Sequence, residues 1–288
     1  MSGRALLAIA GLTLREITRR RIIWVLAGLS VVSVLLVSFG VDRLVDAGRA
    51  EGANEVEVRI VVSQVLILIA FMFSFVLAMS AAFLGAPAIA SDIETGTVHA
   101  LLARPLRRSE LVLGRWIGLS IVVAAYAALS GLLAIAAVGV VSGHVPPSPQ
   151  VAIGFLALQA VAVLTLAIAL GTRLPAIAAG SIVVVVFGIS WFAGVLGNVA
   201  TALDSKPLAG VGDVARLLIP TDGIWRGVVY GLEPPVVLLL SNVRNAQALR
   251  ANPFFAAEPP PLEFVAWSIA WIAIVLAAGV ALFRRREL

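Results

Sequence analysis

Cysteine is absent from the 288 residues, and lysine occurs once, histidine twice and tyrosine twice. Without cysteine there is no disulfide, no thiolate zinc site and no cysteine nucleophile. The single lysine, Lys206 in LDSKPLAG, has serine before it and proline after it. No GxxxxGK[ST] loop therefore exists to hold nucleotide phosphates, and P-loop ATP hydrolysis by this chain is excluded. Charge is also scarce, at 13% of residues against 61% hydrophobic; soluble domains carry roughly 25% charged residues. Side chains this apolar cannot all be hidden in one water-soluble core, so lipid is expected to solvate part of the surface.

His99 and His144 are the two histidines. Neither sits in a pattern of ligands with zinc or copper spacing, and both read as ordinary loop residues, so no metal site is expected. Serines within apolar runs, such as Ser80 and Ser190, have no base nearby in sequence. Helix contacts and backbone hydrogen bonds account for them better than catalysis does.

What is present is six long stretches free of Asp, Glu, Lys, Arg and His: about 22–41, 60–86, 117–142, 151–171, 175–199 and 264–283. Each is long enough to cross a bilayer. Each is expected to be a helix, because a segment in hydrocarbon must satisfy its own backbone hydrogen bonds. The first begins only after Arg19-Arg20-Arg21 and is too long for a signal-peptide core, so it reads as a true span.

Arginine sets the orientation. The N-terminal segment, the 87–116 loop, the turn at Arg173 and the tail after Phe283 carry thirteen arginines against five acidic residues, a net +8. The other side holds eight basic and eleven acidic residues, a net −3. Both termini are thus expected in the cytoplasm. The positive balance is explained by topology and not by nucleic acid.

Ahead of the first span, residues 1–21 read as an amphipathic helix. At 100° per residue Leu6, Ala10, Leu14 and Ile17 share one face while Arg4, Arg15 and Arg19 share the opposite one, a pattern suited to the headgroup layer. Between spans two and three the chain reads APAIASDIETGTVHALLARPLRRSELVLGRWIG. Ser91 and Glu94 have capping-box spacing, which predicts a helical turn starting there. Gly96 breaks it, and Thr97 caps a second short helix ended by Pro105. Ser109 starts the third span, with Glu110 near its N-terminal dipole. Gly114 and Gly118 form a GxxxG, and small residues recur through span five. Packing within the chain is the simpler reading of these, with contact to a second copy as the alternative.

The outer segment, 200–263, is too long for a plain connection. It predicts short helices at Asp213–Ile219 and Thr221–Leu232, separated by Pro220, and another run in VVLLLSNVRNAQAL. The expectation is a small outer cap of membrane-dipping or interfacial helices, the alternative being that part of the segment lies in the membrane. Trp225 and Tyr230 would lie at the interface, and Asp222 and Arg226 would pair at i,i+4.

The stretch ETGTVHALLARPLRRSELVLGRWIG resembles the signature of type 2 ATP-binding-cassette (ABC) permeases. Its acidic residue, Gly-Thr, two leucines, proline, basic residue and Gly-basic pair correspond to Glu94, Gly96-Thr97, Leu101-Leu102, Pro105, Arg107 or Arg108, and Gly114-Arg115. Arg115 stands where lysine is more usual. LLIPTDGIWRGVVYG resembles a stretch in the branch that includes the permease for nitrous-oxide-reductase copper-site maturation.

The resemblance implies an all-α integral membrane protein: one permease domain over 1–288, with six transmembrane helices, an interfacial elbow helix and short outer helices between spans five and six. It implies a multi-pass protein of the prokaryotic cell membrane, serving as the permease subunit of an ATP-driven exporter. A separate ATPase subunit would carry ATP and magnesium, and a second permease subunit, identical or closely related, would complete the pathway. Docking and coupling would fall on residues 92–104, with Asp92, Glu94, Thr95, Gly96, Thr97, Leu101, Leu102, Arg104 and Pro105 as site residues and Arg15, Arg19 and Arg20 on the elbow. No cofactor and no catalytic residue are expected in this chain. A membrane scaffold without transport and an ion-coupled carrier are the rival readings. The spans lack charged relay groups, which disfavours the carrier and suggests an apolar or amphipathic cargo.

Overall fold

The computed structural model describes residues 3–18, 21–97, 107–234, 237, 249 and 251–287. Among them every regular element is a helix: α1 (Gly3–Thr18), α2 (Arg21–Ala50), α3 (Glu55–Gly85), α4 (Pro87–Glu94), α5 (Arg108–Ser142), α6 (Pro149–Gly171), α7 (Ala176–Ala202), α8 (Lys206–Leu218), α9 (Thr221–Leu232) and α10 (Leu262–Arg284). Five stretches are long and apolar enough to cross a membrane: Glu55–Glu94, which joins α3 to α4, and helices α5, α6, α7 and α10. The expected first span lies along α2. The protein is a multi-pass membrane protein.

Local chemistry marks where these helices begin and end. The α2–α3 turn is closed by Asn54, whose Oδ1 accepts from Val56 N at 3.0 Å and Glu57 N at 2.9 Å. Glu57 reciprocates, accepting from Asn54 N at 2.9 Å, which satisfies donors that the first helical turn leaves free. Gly143 ends α5 in the left-handed region at φ 70°, where a Cβ would be penalised. At 35 residues, α5 is about 52 Å long by the 1.5 Å rise per residue. It therefore outreaches a hydrocarbon core of about 30 Å, and its first turns are left to serve another purpose.

Helix α6 is the centre of the bundle, packed against α3, α5, α7, α9 and α10. Leu164, Ala167 and Ile168 are fully buried there, among the alanines of α3 and Val183 and Phe187 of α7. Outward faces remain apolar and exposed, as at Leu35, Leu36 and Phe39 of α2, Leu129 of α5 and Ile189 and Phe192 of α7. In water such surface would be a liability; lipid is its natural solvent.

The segment between α7 and α10 departs most from expectation. Its first helix starts at Lys206, not Asp213, and packs back along α7, with Gly197 and Gly212 meeting so closely that a Cβ on Gly197 would lie 2.9 Å from Gly212 Cα. The chain turns at Pro220, and α9 returns along α6. Thr221 O accepts from Gln159 Nε2 at 3.2 Å, ten residues or about 15 Å in from the start of α6. The far end of α9 meets the start of α6, where Gly231 O accepts from Ser148 N at 3.1 Å. Helices α8 and α9 thus form a hairpin: α9 is folded into the bundle, while α8 lies along the outside of α7 with Val211, Val214, Leu217 and Leu218 exposed. The run at 236–249 lies largely outside the described residues.

Among the small residues of α7, Gly194 and Gly197 take this hairpin as their partner, Gly180 meets Phe83 of α3, and Gly188 faces open space. Trp225, expected at an interface, is 2% exposed and stacks edge-on against Phe71, with its Nε1 donating to Pro253 O at 3.3 Å. The apolar face of Ile224, Trp225, Val228 and Val229 forms as the periodicity predicts, but it is buried in protein.

Candidate functional site

Two constellations of polar residues stand out, one at the Arg-rich end of the bundle and one at the hairpin. At the Arg-rich end α1 lies against the first turns of α5, and the GxxxG makes the contact possible. A Cβ on Gly114 would be 2.7 Å from Ile9 Cβ, and one on Gly118 would be 2.9 Å from Ala10 O. Ala10, Thr13 and Ile17 are buried against this surface, while Leu7 and Leu12 stay exposed. Part of the apolar face of α1 therefore packs on α5, and the rest stays exposed. Arg15 is exposed on the other side, and Arg19 and Arg20 lie outside the described residues.

Arg115 locks this junction. Its Nη2 donates to Asp92 Oδ2 of α4 at 2.5 Å, and its Nη1 lies 3.6 Å from Glu16 Oε2 of α1. One guanidinium thus ties α1, α4 and α5 together. It does so partly buried, at 17% side-chain exposure, where such a pair is screened less than on an open surface.

Ser91 does not begin a helix. Helix α4 starts at Pro87, whose missing N–H costs nothing at that position, and Ser91 lies inside it. Glu94, its last residue, reaches across instead: its Oε1 accepts from Ala176 N at 2.9 Å, the first amide of α7. Thr95 closes α4 by donating to Ser91 O at 2.8 Å and bonds Thr97 Oγ1 at 2.7 Å. Gly96 follows at φ 71° and breaks the helix as expected. Of the sequence-predicted coupling residues, Asp92, Glu94, Thr95, Gly96 and Thr97 are brought together here. Leu101, Leu102, Arg104 and Pro105, the helix that Thr97 would cap, and His99 all lie outside the described residues.

The arginines near this end do more than set topology. Arg108 Nη1 donates to the carbonyls of Arg284 at 3.1 Å and Arg286 at 2.5 Å, at the end of α10. Arg286 Nη1 donates to Thr172 O at 2.7 Å, at the end of α6. Cations thus meet the carbonyl ends of two helices and a carboxylate meets the amide end of a third, each with the sign the helix dipole favours. Glu110 adds a further cap, accepting from Arg107 N at 3.1 Å.

The second constellation is the tip of the hairpin. Ser74 donates to Gln159 Oε1 at 2.6 Å, Gln159 donates to Thr221 O, and Thr221 Oγ1 donates to Ser190 Oγ at 3.0 Å. Ser190 Oγ then donates to Ile219 O at 3.0 Å. A polar chain therefore pins the turn between α3, α6 and α7. Asp222, 4% exposed, pairs with Arg216 rather than with Arg226: Arg216 Nε donates to its Oδ2 at 2.9 Å. Arg216 also donates to Asn198 Oδ1 at 2.9 Å. The spans themselves remain free of charge, and Asp222 of α9 with Arg216 of α8 and Arg226 of α9 are the charges that pack beside them. The signal was present in LLIPTDGIWRGVVYG, but nothing local reveals that the segment folds inward.

Beyond the hairpin, Glu233 and His144 mark the opposite end. Glu233, 1% exposed, accepts from Ala256 N at 2.9 Å, and burial pushes its carboxyl up to about 7. His144 Nε2 bonds Ser63 Oγ at 2.7 Å, and burial lowers its pKa, with Arg59 adding to the effect. No cluster of three or more His, Cys, Asp or Glu residues suited to a metal occurs among the described residues.

A long-helix membrane bundle, an amphipathic N-terminal helix clamped to it and a short helix following span two make this a multi-pass helical membrane domain. The family model of the ABC-2 family transporter protein matches residues 7–288, and the chain belongs to that family. No curated protein matches the chain. As a member it is a membrane permease component of an ABC transporter.

Proposed function

We propose that this chain is the membrane-spanning subunit of an ATP-driven exporter, working with a separate ATPase and a second permease subunit in a prokaryotic cell membrane. The Arg-rich end is the cytoplasmic face, both termini lie there, and α2 completes a set of six spans. Helix α1 is the interfacial elbow, and residues 92–104 are the ATPase-docking segment. The observation that carries this reading is the family match over residues 7–288. The junction at Arg115 supports it: force applied at α4 passes directly to α1 and α5 through one guanidinium, and through Glu94 to α7. A soluble motor docking there would engage four helices at once. The resemblance of 217–231 to the nitrous-oxide-reductase maturation branch adds the proposal that the chain lies near that branch.

The test is co-purification of the tagged chain with the ATPase encoded beside its gene, in nanodiscs, followed by ATP hydrolysis and ATP-dependent transport. Binding should be lost in Leu101→Asp and Leu102→Asp while thermal unfolding of the permease is unchanged. Glu94→Lys should both weaken coupling and loosen α7, because Glu94 caps that helix. Wild-type failure to bind that ATPase, or any other from the same cell, would remove the exporter reading.

A second reading has one observation in its favour. The Arg216–Asp222 pair and Arg226 place inside the bundle the kind of charge an ion-coupled carrier needs. Transport that persists without ATP and follows an ion gradient would establish it.

A further inference from the structure

A cavity of about 550 Å³ opens at the end opposite the Arg-rich face, between the last turns of α7, the α8–α9 hairpin and the segment 255–261 leading into α10. Two guanidiniums line it, and their circumstances differ. Arg216 makes four hydrogen bonds, donating to Asp213, Asp222, Asn198 and Gly194 O. Arg226, one turn beyond Asp222, has a buried Nε with no hydrogen-bond partner. Its natural neighbour at i−4 is already spent on Arg216. Glu258 stands exposed at the rim, and among the described residues no ion pair joins it to Arg226.

An arginine keeps its charge under nearly all conditions; Arg226 is half-buried, Asp222 and Asp213 attract it only through space, and its Nε remains a donor without an acceptor. Asn198 and Thr201 add polar wall, and Phe255, Phe264 and the prolines at 259–261 supply an apolar part. We propose that this cavity is a binding site for an amphiphilic anion, a phosphate ester or carboxylate on an apolar body, with Arg226 gripping the anionic group and Phe255 and Phe264 flanking the apolar part. A planar guanidinium presents two parallel donors to such a group. Binding there requires neither transport nor an ATPase, so the inference stands or falls separately from the proposed function.

The test uses the full-length chain in zwitterionic nanodiscs, titrated with hexyl phosphate and followed by calorimetry. Saturable binding is expected, weakened at least about tenfold by Arg226→Gln, as is usual when one partner of a charged contact is removed. Ala257→Trp, which fills the mouth from an exposed position without touching a charge, should block binding even if Arg226→Gln does not fold. Arg59→Gln, at the same end but outside the cavity, should leave it unchanged. Competition by nanodiscs containing phosphatidylglycerol would identify a lipid headgroup as the source. Competition by inorganic phosphate alone would identify a soluble anion. The proposal is overturned if hexyl phosphate does not saturate, or if it binds equally to both cavity variants. It is also overturned if binding appears only in Glu258→Gln, since the cavity would then be filled by its own carboxylate.

Discussion

Charge at the Arg-rich end and charge in the hairpin are handled by different physics. At the Arg-rich end, Arg108, Arg286 and Glu94 sit on helix termini, where backbone dipoles supply the counter-charge and water is close by. Their contributions are individually modest. In the hairpin, Arg216 and Asp222 have been carried into the bundle, and their pairing must offset desolvation with a full set of hydrogen bonds. The first arrangement tolerates loss of a member; the second does not, because the survivor is left charged and buried. The helix-end contacts spread stability over several weak interactions, whereas the Arg216–Asp222 pair concentrates it in one.

The strongest way to break this contrast is at Asp222. Asp222→Ala should cost about 3–5 kcal/mol, seen as loss of the folded chain in detergent by tryptophan-monitored unfolding. Gly194→Leu should have a comparable effect, since even a Cβ there would fall 2.0 Å from Asp222 Cγ. An Asp222→Ala chain as stable as wild type would show that the pair contributes nothing to the hairpin.

A smaller effect belongs to the junction. Gly118→Val drives a side chain into Ala10 O and Thr13, and overpacking of this kind costs about 1–3 kcal/mol. Helix α1 should lose hydrogen-exchange protection over residues 3–18 while the spans keep theirs. Uniform loss across the bundle would mean that α1 is not a separable element.

Glu233 gives a pH test of the hairpin end. Its folded pKa is raised from 4.5 to about 7, so the folded chain binds the proton more tightly than the unfolded one. Its contribution to stability is full below about pH 4.5 and is lost as pH rises through about 7. The melting temperature should therefore fall between those values, and Glu233→Gln should flatten that part of the profile. An unchanged slope in the variant would place the titration elsewhere.

The smallest effect is expected at Arg49–Glu55, an ion pair 3.4 Å apart with both side chains largely exposed. Glu55→Ala should shift stability by less than about 0.5 kcal/mol. A larger change would show that charges at that turn are not simply solvated.

Much of the bundle was legible in the sequence because apolar length is a direct statement about lipid. Five of the six charge-free stretches fall on helices long and apolar enough to cross, and Gly96 and Pro220 punctuate where their backbone preferences require. The site was legible only in part. Glu94 and Ser91 have capping spacing, yet Glu94 caps a helix that begins 82 residues further on, which no local pattern encodes. Asp222 and Arg226 have i,i+4 spacing, but Arg216 on the neighbouring helix is better placed. Short-range rules describe which bonds are available along one helix, whereas a second helix packed alongside decides which are made.

By itself, then, the sequence determined that this chain is a lipid-solvated helical protein without a nucleotide-binding loop, and it placed arginine along one end of the bundle. These follow from composition and from the cost of exposing backbone or apolar surface to the wrong solvent. Tertiary structure alone decided that α9 folds inward, that the GxxxG receives α1, and that of two guanidiniums lining one cavity Arg216 is held by four hydrogen bonds while Arg226 Nε has none. Each of these depends on which surfaces meet at distances below about 4 Å, and residues far apart in the chain settle that only when they are packed together.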